Sequence, residues 1–347
     1  MKKASSANSG VNSGKLLGVL QPVAAMVILL AFAAYLYRPH WFQLGGAKML
    51  IPLSSILAAM GCFVITRRWI SSFGASLLAA AIYGFGPFGL SFIKYHFMAG
   101  LCFAAVPWLL CPAVYYHAQS PGGVVKTGLS VLLTCLPFGF IVGLFWMAAH
   151  FWGGPLFLMP KNRVLEMADL WGILTPLIFT AKPFAVGFYH LPLLFILMGL
   201  FVFAFSGKEM LLVPVLVSIV LSLLGPILDV APIIWLCFPA LFFAVVAGLG
   251  LQAFAWAGKA DQVWLLICFV TGLLLAGGNY FLGLSCSPRL LYWHTMLFFL
   301  AASVAIGCIW IMTILNLRLH WLRWAILLGA AAYDLALIAP QLTDSLF

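Results

Sequence analysis

Seven carboxylates, seven histidines and seventeen lysines and arginines are nearly all the ionisable chemistry that 347 residues provide. Two of the acids, Glu166 and Asp169, stand three apart, which puts both on one face of any helix there. Such a pair suits a general base or a metal, and a solvated loop acid is the commoner outcome. Asp229 follows Gly225-Pro226 and Asp334 lies inside an apolar run. A carboxylate at depth in a bilayer costs roughly 2.5–3.5 kcal/mol on the insertion scale, so each of these is paired, protonated or functional. Glu209 and Asp261 sit within two residues of a lysine and read as solvated charge pairs. Asp344 completes the set.

The cations and imidazoles pattern differently. Arg38, His40, Lys94, His96, His150, Lys182, His190, Arg289 and His294 all fall at the ends of apolar runs, and alternating spans bring those ends to one side. As a group they suit a water-filled cavity that binds a phosphate or pyrophosphate headgroup through charge-assisted donors. Singly, each reads more readily as an interfacial residue snorkelling to headgroups, and only as a group do the two readings balance. Lys94-Tyr95-His96, after the glycine-broken Gly84-Phe85-Gly86-Pro87, is the sharpest of them. The eight cysteines lie mostly inside apolar runs with no C-x-x-C pair, and they read as small buried hydrophobes, not zinc or redox ligands. No two histidines share the middle of a span, which sets haem aside, and there is no G-x-S-x-G motif. No metal and no cofactor is expected.

The elements that must position these groups follow from composition. At 65% hydrophobic, 7% charged and a mean hydropathy of +1.16, the chain lies far from the roughly 25% charged residues of soluble domains. The expected class is all-α, a polytopic integral membrane bundle of about eleven transmembrane helices. The formal charge of +10 is scattered singly between apolar runs, a pattern for topology and anionic headgroups and not for nucleic acid. Spans are expected at 16–36, 47–66, 73–93, 97–117, 124–148, 186–205, 210–228, 232–256, 262–284, 290–316 and 321–340. Residues 1–15 read as a disordered cytoplasmic tail, 16–347 as one transmembrane domain, and 149–185 as a long external loop with a broken helix. Ten of the seventeen Lys and Arg fall on the N-terminal side of the membrane. That bias places the N-terminus inside and the C-terminus outside. No internal repeat emerges.

Two stretches resemble the GT-C superfamily of membrane glycosyltransferases, in particular its bacterial YfhO-like branch. The first runs through Thr66-Arg67-Arg68-Trp69, Ser72-Phe73-Gly74-Ala75-Ser76-Leu77-Leu78-Ala79, Tyr83-Gly84-Phe85-Gly86-Pro87-Phe88, His96 and Ala105-Val106-Pro107-Trp108. The second holds Ser222-Leu223-Leu224-Gly225-Pro226, Phe238-Pro239-Ala240 and Ala247-Gly248-Leu249-Gly250-Leu251. The resemblance implies a multi-pass protein of the bacterial inner membrane that handles a polyprenyl-phosphate sugar on its outer face. It also implies a catalytic acid in the first external loop, and here the segment Tyr37 to Ala47 holds no Asp or Glu. No family catalytic acid carries over, and only His96 transfers, as a headgroup contact.

The expectation is therefore a GT-C-like protein that has lost its catalytic acid or moved it to Glu166 and Asp169. Its lipid-phosphate site would be Arg38, Lys94, His96 and Arg289, and its partners membrane lipids, polyprenyl phosphate and other membrane subunits. A structural subunit of a larger membrane complex and a transporter or flippase of an anionic or lipid-linked solute are the competing readings. If the relocated pair carries sugar transfer, Glu166→Ala and Asp169→Ala each abolish it in vesicles loaded with donor; full activity in both variants removes the pair from the chemistry.

Overall fold

The computed structural model describes residues 7–95, 97–117, 124–152, 164, 191–204, 212–226, 231–285, 289–317 and 319–344. These form α1 (Ala7–Tyr37), two 3-10 turns (Arg38–Gln43 and Gly46–Met49), α2 (Leu50–Thr66), α3 (Phe73–Phe85), α4 (Pro87–Tyr95), α5 (Phe97–His117) and α6 (Val124–Trp152). Then come α7 (Leu191–Ala204), α8 (Leu212–Leu223), a 3-10 turn (Pro232–Leu236) running into α9 (Cys237–Trp256), and a short 3-10 turn (Lys259–Asp261). The series ends with α10 (Gln262–Ser285), α11 (Arg289–Ile314) and α12 (His320–Asp344). No strand occurs among the described residues.

Among the described residues, five segments are long and apolar enough to cross a bilayer: Leu20–Gln43, Phe73–Leu90, Pro232–Trp256, Lys259–Ser285 and Tyr292–Ile314. The exterior inverts that of a water-soluble protein. Large apolar side chains stand exposed along α1 (Val23, Val27, Leu30), α6 (Leu132, Leu136, Phe140), α10 (Val263, Leu274, Phe281) and α11 (Leu297, Val304, Ile311). An exposed apolar belt on this scale marks a face that meets lipid or another protein. Backbone groups inside such a belt must be satisfied within the segment, and helix is the secondary structure that does this without neighbours.

The expected spans and the observed helices differ in informative places. The span at 73–93 is two helices, because Gly86 is extended (φ −73°, ψ 164°) and Pro87 has no N–H to continue the ladder. Helix α1 begins at Ala7, so it runs through residues 7–15 of the segment read as a disordered tail. Helix α6 continues to Trp152, four residues past the expected end of its span at 148 and into the segment read as a loop. Helix α8 has 12 residues and rises only about 18 Å, short of the ~30 Å hydrocarbon core. Residues 153–163 and 165–190, which hold Glu166, Asp169, Lys182 and His190, lie outside the described residues, as do Glu209 and Asp229.

Helix α9 is the hub. One core gathers α2, α4, α5 and the first half of α9; another packs α3, α7 and α10–α12 against its second half. Helix α1 closes the side of the bundle against α2 and α3, with Phe298 of α11 and Leu335 of α12. The approach is close because small residues stand at the crossings. A Cβ on Gly250 would fall on the carbonyl oxygen of Phe195, and one on Gly199 on that of Val246. A Cβ on Gly84 would meet Ser55 O, and one on Gly61 the Pro107 ring and Trp108. The indole of Trp108 uses that closeness to donate to Leu57 O at 2.9 Å.

Gly250→Val must push α7 from α9 and is expected to cost about 1–3 kcal/mol, the usual range for overpacking. Thermal unfolding in detergent reads it as a lowered Tm. Gly143→Val in α6, where no atom lies within 4 Å of the added carbon, is expected to change stability by less than about 1 kcal/mol.

Candidate functional site

Antiparallel succession gives the bundle two ends. One carries the loop after α1, the start of α2 and the end of α12. The other carries the turn between α2 and α3, the end of α9 and the start of α12. The groups expected to bind a headgroup belong to the first. Tyr37 is buried at the end of α1, with its hydroxyl 3.2 Å from Ser55 Oγ. Pro39 then sets up the tight turn Arg38–Gln43. The chain reverses at Gly46, whose φ of 58° suits glycine, and enters α2 through Lys48 and Met49.

On this turn His40 Nε2 lies 2.8 Å from Asp344 Oδ1 at the far end of α12. The imidazole is 13% exposed and the carboxylate 64%. The bond decides what the pair can do. With Nε2 donating to the carboxylate and Nδ1 buried, neither ring nitrogen faces a substrate, so His40 is not placed to act as a general base. The pair ties the first turn to the last helix.

Arg38 is exposed on the same turn, and Arg289 and His294 are exposed in the first two turns of α11. Lys94 lies in the last turn of α4; its side chain is outside the described residues, as is His96 entirely. Chain direction puts Arg38, Lys94 and Arg289 at one end of the bundle, and no contact among the described side chains joins them. What holds α4 is clear. Gly89 sits where a Cβ would touch the Phe103 ring, and Phe88 and Phe92 pack against the same ring. Tyr83 stacks on Phe103 at 4.2 Å and donates to its carbonyl at 3.0 Å. This cluster fixes the direction in which α4 carries Lys94 away from the break. Glu166 and Asp169, the expected catalytic pair, lie outside the described residues.

The opposite end is held by polar ties. Arg67 Nη1 donates to the carbonyls of Ile70 and Ser71 at 3.1 and 2.7 Å, and its Nη2 donates to Gln21 Oε1 of α1 at 2.7 Å. Gln252 of α9 accepts from the Ser72 N–H at 3.0 Å and the Ser71 hydroxyl at 3.2 Å. Arg323 is buried; its Nη1 donates to Ala257 O at 2.6 Å and its Nη2 to Leu317 O at 3.2 Å. One guanidinium therefore caps the C-terminal ends of both α9 and α11, where the helix dipoles are negative. Trp256 and His320 rings lie 4.8 Å apart beside it.

In the sequence Arg67 counts as a topology charge and as part of the double-arginine stretch of the GT-C resemblance, Arg323 counts as a topology charge alone, and Gln21, Gln252 and Asp344 carry no role. The two glutamines carried a signal. An amide in an otherwise apolar helix must find a partner. Asp344 carried none, since its partner is 304 residues away. Among the described residues no group of three or more His, Cys, Asp and Glu could hold a metal ion. The described cysteines are free; Cys62, Cys111, Cys237 and Cys268 are buried.

No family model matches the chain, and no curated protein or solved structure is similar to it.

The Arg67 tie is testable by a double-mutant cycle. Arg67→Met and Gln21→Leu are each expected to destabilise, and together by less than the sum, with a coupling of about 0.5–3 kcal/mol read from unfolding in detergent. Strict additivity would show that the two helices are held by packing alone.

Proposed function

We propose that the protein is a polytopic membrane protein of about eleven spans, N-terminus inside, related to the GT-C glycosyltransferases and acting without a first-loop catalytic acid. In this reading it holds the anionic headgroup of a lipid, polyprenyl phosphate in particular, at its outer end and serves as an accessory to a partner enzyme. The observation that supports it is the break at Gly86–Pro87. The break turns one span into two and lets α4 end in Lys94-Tyr95 at the same end of the bundle as Arg38 and Arg289. A half-span stopping at that level with a lysine in its last turn suits a phosphate at the membrane surface.

The structure adds a reason for non-catalytic work. The first external turn has no acid of its own, and the carboxylate brought to it, Asp344, is engaged by His40 Nε2. Catalysis by Glu166 and Asp169 is the alternative within the same family reading.

Mass spectrometry of lipids retained by the gently purified protein tests the proposal. The parent is expected to carry a polyprenyl phosphate that the Lys94→Ala/His96→Ala variant loses. Bulk phospholipid alone in both would overturn it in favour of a structural subunit.

A further inference from the structure

The first turn sorts its side chains into two sets. Leu44 packs against the core shared by α1, α2 and α3, and His40 is mostly buried. Between them Trp41 is 62% exposed and Phe42 fully so. The backbone fixes that sorting. Pro39 stands at the start of the turn, the Leu44 N–H donates to Trp41 O at 3.3 Å, and beyond Gly46 the Lys48 N–H donates to Gly45 O at 3.3 Å. A turn that faces water is ordinarily built from Gly, Pro, Asn, Asp and Ser. This one presents two adjacent aromatic rings, with exposed Met49 after them.

Depth, continuity and charge say what meets those rings. The apolar run 16–37 of α1 rises about 33 Å as a helix, close to the ~30 Å hydrocarbon core, so residues 38–43 emerge at headgroup level. The rings stand at the end of the apolar belt that exposed Val23, Val27, Leu30 and Tyr35 form along α1. Residues 37–49 carry the exposed cations Arg38 and Lys48 and no Asp or Glu. Aromatic rings flanked by cations match the acyl boundary and the phosphates of an anionic lipid surface.

We propose that the turn Arg38–Gln43 is an interfacial anchor. Trp41 and Phe42 enter the boundary between headgroups and acyl chains in the leaflet at this end of the bundle, and Arg38 and Lys48 meet the phosphates above them. The anchor sets the depth at which α1 leaves the membrane. The inference rests on the bundle standing in a bilayer, and it needs no lipid held at Lys94.

Fluorine NMR of the full chain labelled with fluorotryptophan, in nanodiscs of phosphatidylcholine and phosphatidylglycerol, reads the depth of Trp41. Its resonance is the one that Trp41→Phe removes. Lipids carrying nitroxides along their acyl chains are expected to broaden it more than a water-soluble gadolinium chelate does. Phe42→Ser, which alters a fully exposed ring, is expected to lower the ratio of the two effects by at least about twofold. Val27→Trp adds a reporter at an exposed position in the middle of α1. If the lipids broaden that reporter while Trp41 responds only to the chelate, the anchor is overturned and the bundle keeps its bilayer. Trp41 spared by both agents would show the turn covered by another copy or another segment, and an unchanged ratio in Phe42→Ser would show that ring outside the lipid; either overturns the proposal. A Val27→Trp reporter spared by the lipids overturns the bilayer reading itself, and the anchor with it.

Discussion

Helix α9 sits at the centre of the bundle because it carries glycine where other helices' carbonyls meet it. Gly250 lies on the Phe195 carbonyl of α7, and Gly248 lies against Ile70 and the Ala75 carbonyl, at the start of α3. Gly199 returns the contact from α7. In an apolar medium there is little hydrophobic gain in bringing two apolar helices together, so association rests on close packing over many atoms. Removing the Cβ at these positions shortens the distance between axes and lets the flanking side chains interlock. The helices that gather on α9 inherit their places from it. Helix α3 fixes where Gly86 breaks, and so where α4 points. Helix α10 packs beside α11 through Gly272, where an added Cβ would fall on Ser303. Helix α12 lies in the remaining cleft.

Polar side chains do a second job, holding what packing leaves loose. Within the apolar belt the hydroxyls of Ser54, Thr66, Ser218, Ser303 and Thr313 all donate back to carbonyls three or four residues earlier in their own helices. They ask nothing of neighbouring helices. Two aromatic side chains reach across to carbonyls inside neighbouring helices, Trp108 to Leu57 and Tyr83 to Phe103. The arginine and glutamine side chains make their ties to other elements at the end of the bundle that holds the α2–α3 turn, where backbone carbonyls lack helical partners. Arg67 and Arg323 satisfy four such carbonyls between them, and the amides of Gln21 and Gln252 bring α1 and α9 to the same turn. Charge is thus placed where it meets unpaired backbone, and the middle of the bundle stays free of ion pairs among the described residues.

The helical class and the positions of most helices were legible because hydropathy is local. The runs at 47–66, 97–117, 232–256, 262–284 and 290–316 appear within a few residues as α2, α5, the 3-10 turn with α9, α10 and α11. The Gly86–Pro87 break was visible as a motif, yet a hydropathy window reads straight through it, since neither residue lowers the apolar average. The start of α1 was missed for the opposite reason: Ser, Asn and Gly before Leu16 look like a tail, and the helix nonetheless begins at Ala7. The headgroup residues were legible only as a set sharing one end. Their grouping could be deduced from counting spans, while the bond that forms there, His40 to Asp344, joins positions no local pattern links. Arg323 shows the same limit. A lone arginine at a helix start reads as a topology signal, and only packing reveals that it caps two other helices.

The meeting of α1 with α12 also bears on how the chain is assembled. Ala25, Leu29 and Ala33 of α1 are buried in a core that Leu335 helps to complete, and His40 waits for a carboxylate made 304 residues later. During synthesis the first helix therefore emerges with one flank unfinished. It must be held beside α2 and α3 through the translation of every helix between, about half a minute at ~5–20 residues per second. A chain stalled before α12 would expose that apolar flank together with the ends of α9 and α11 that Arg323 otherwise caps.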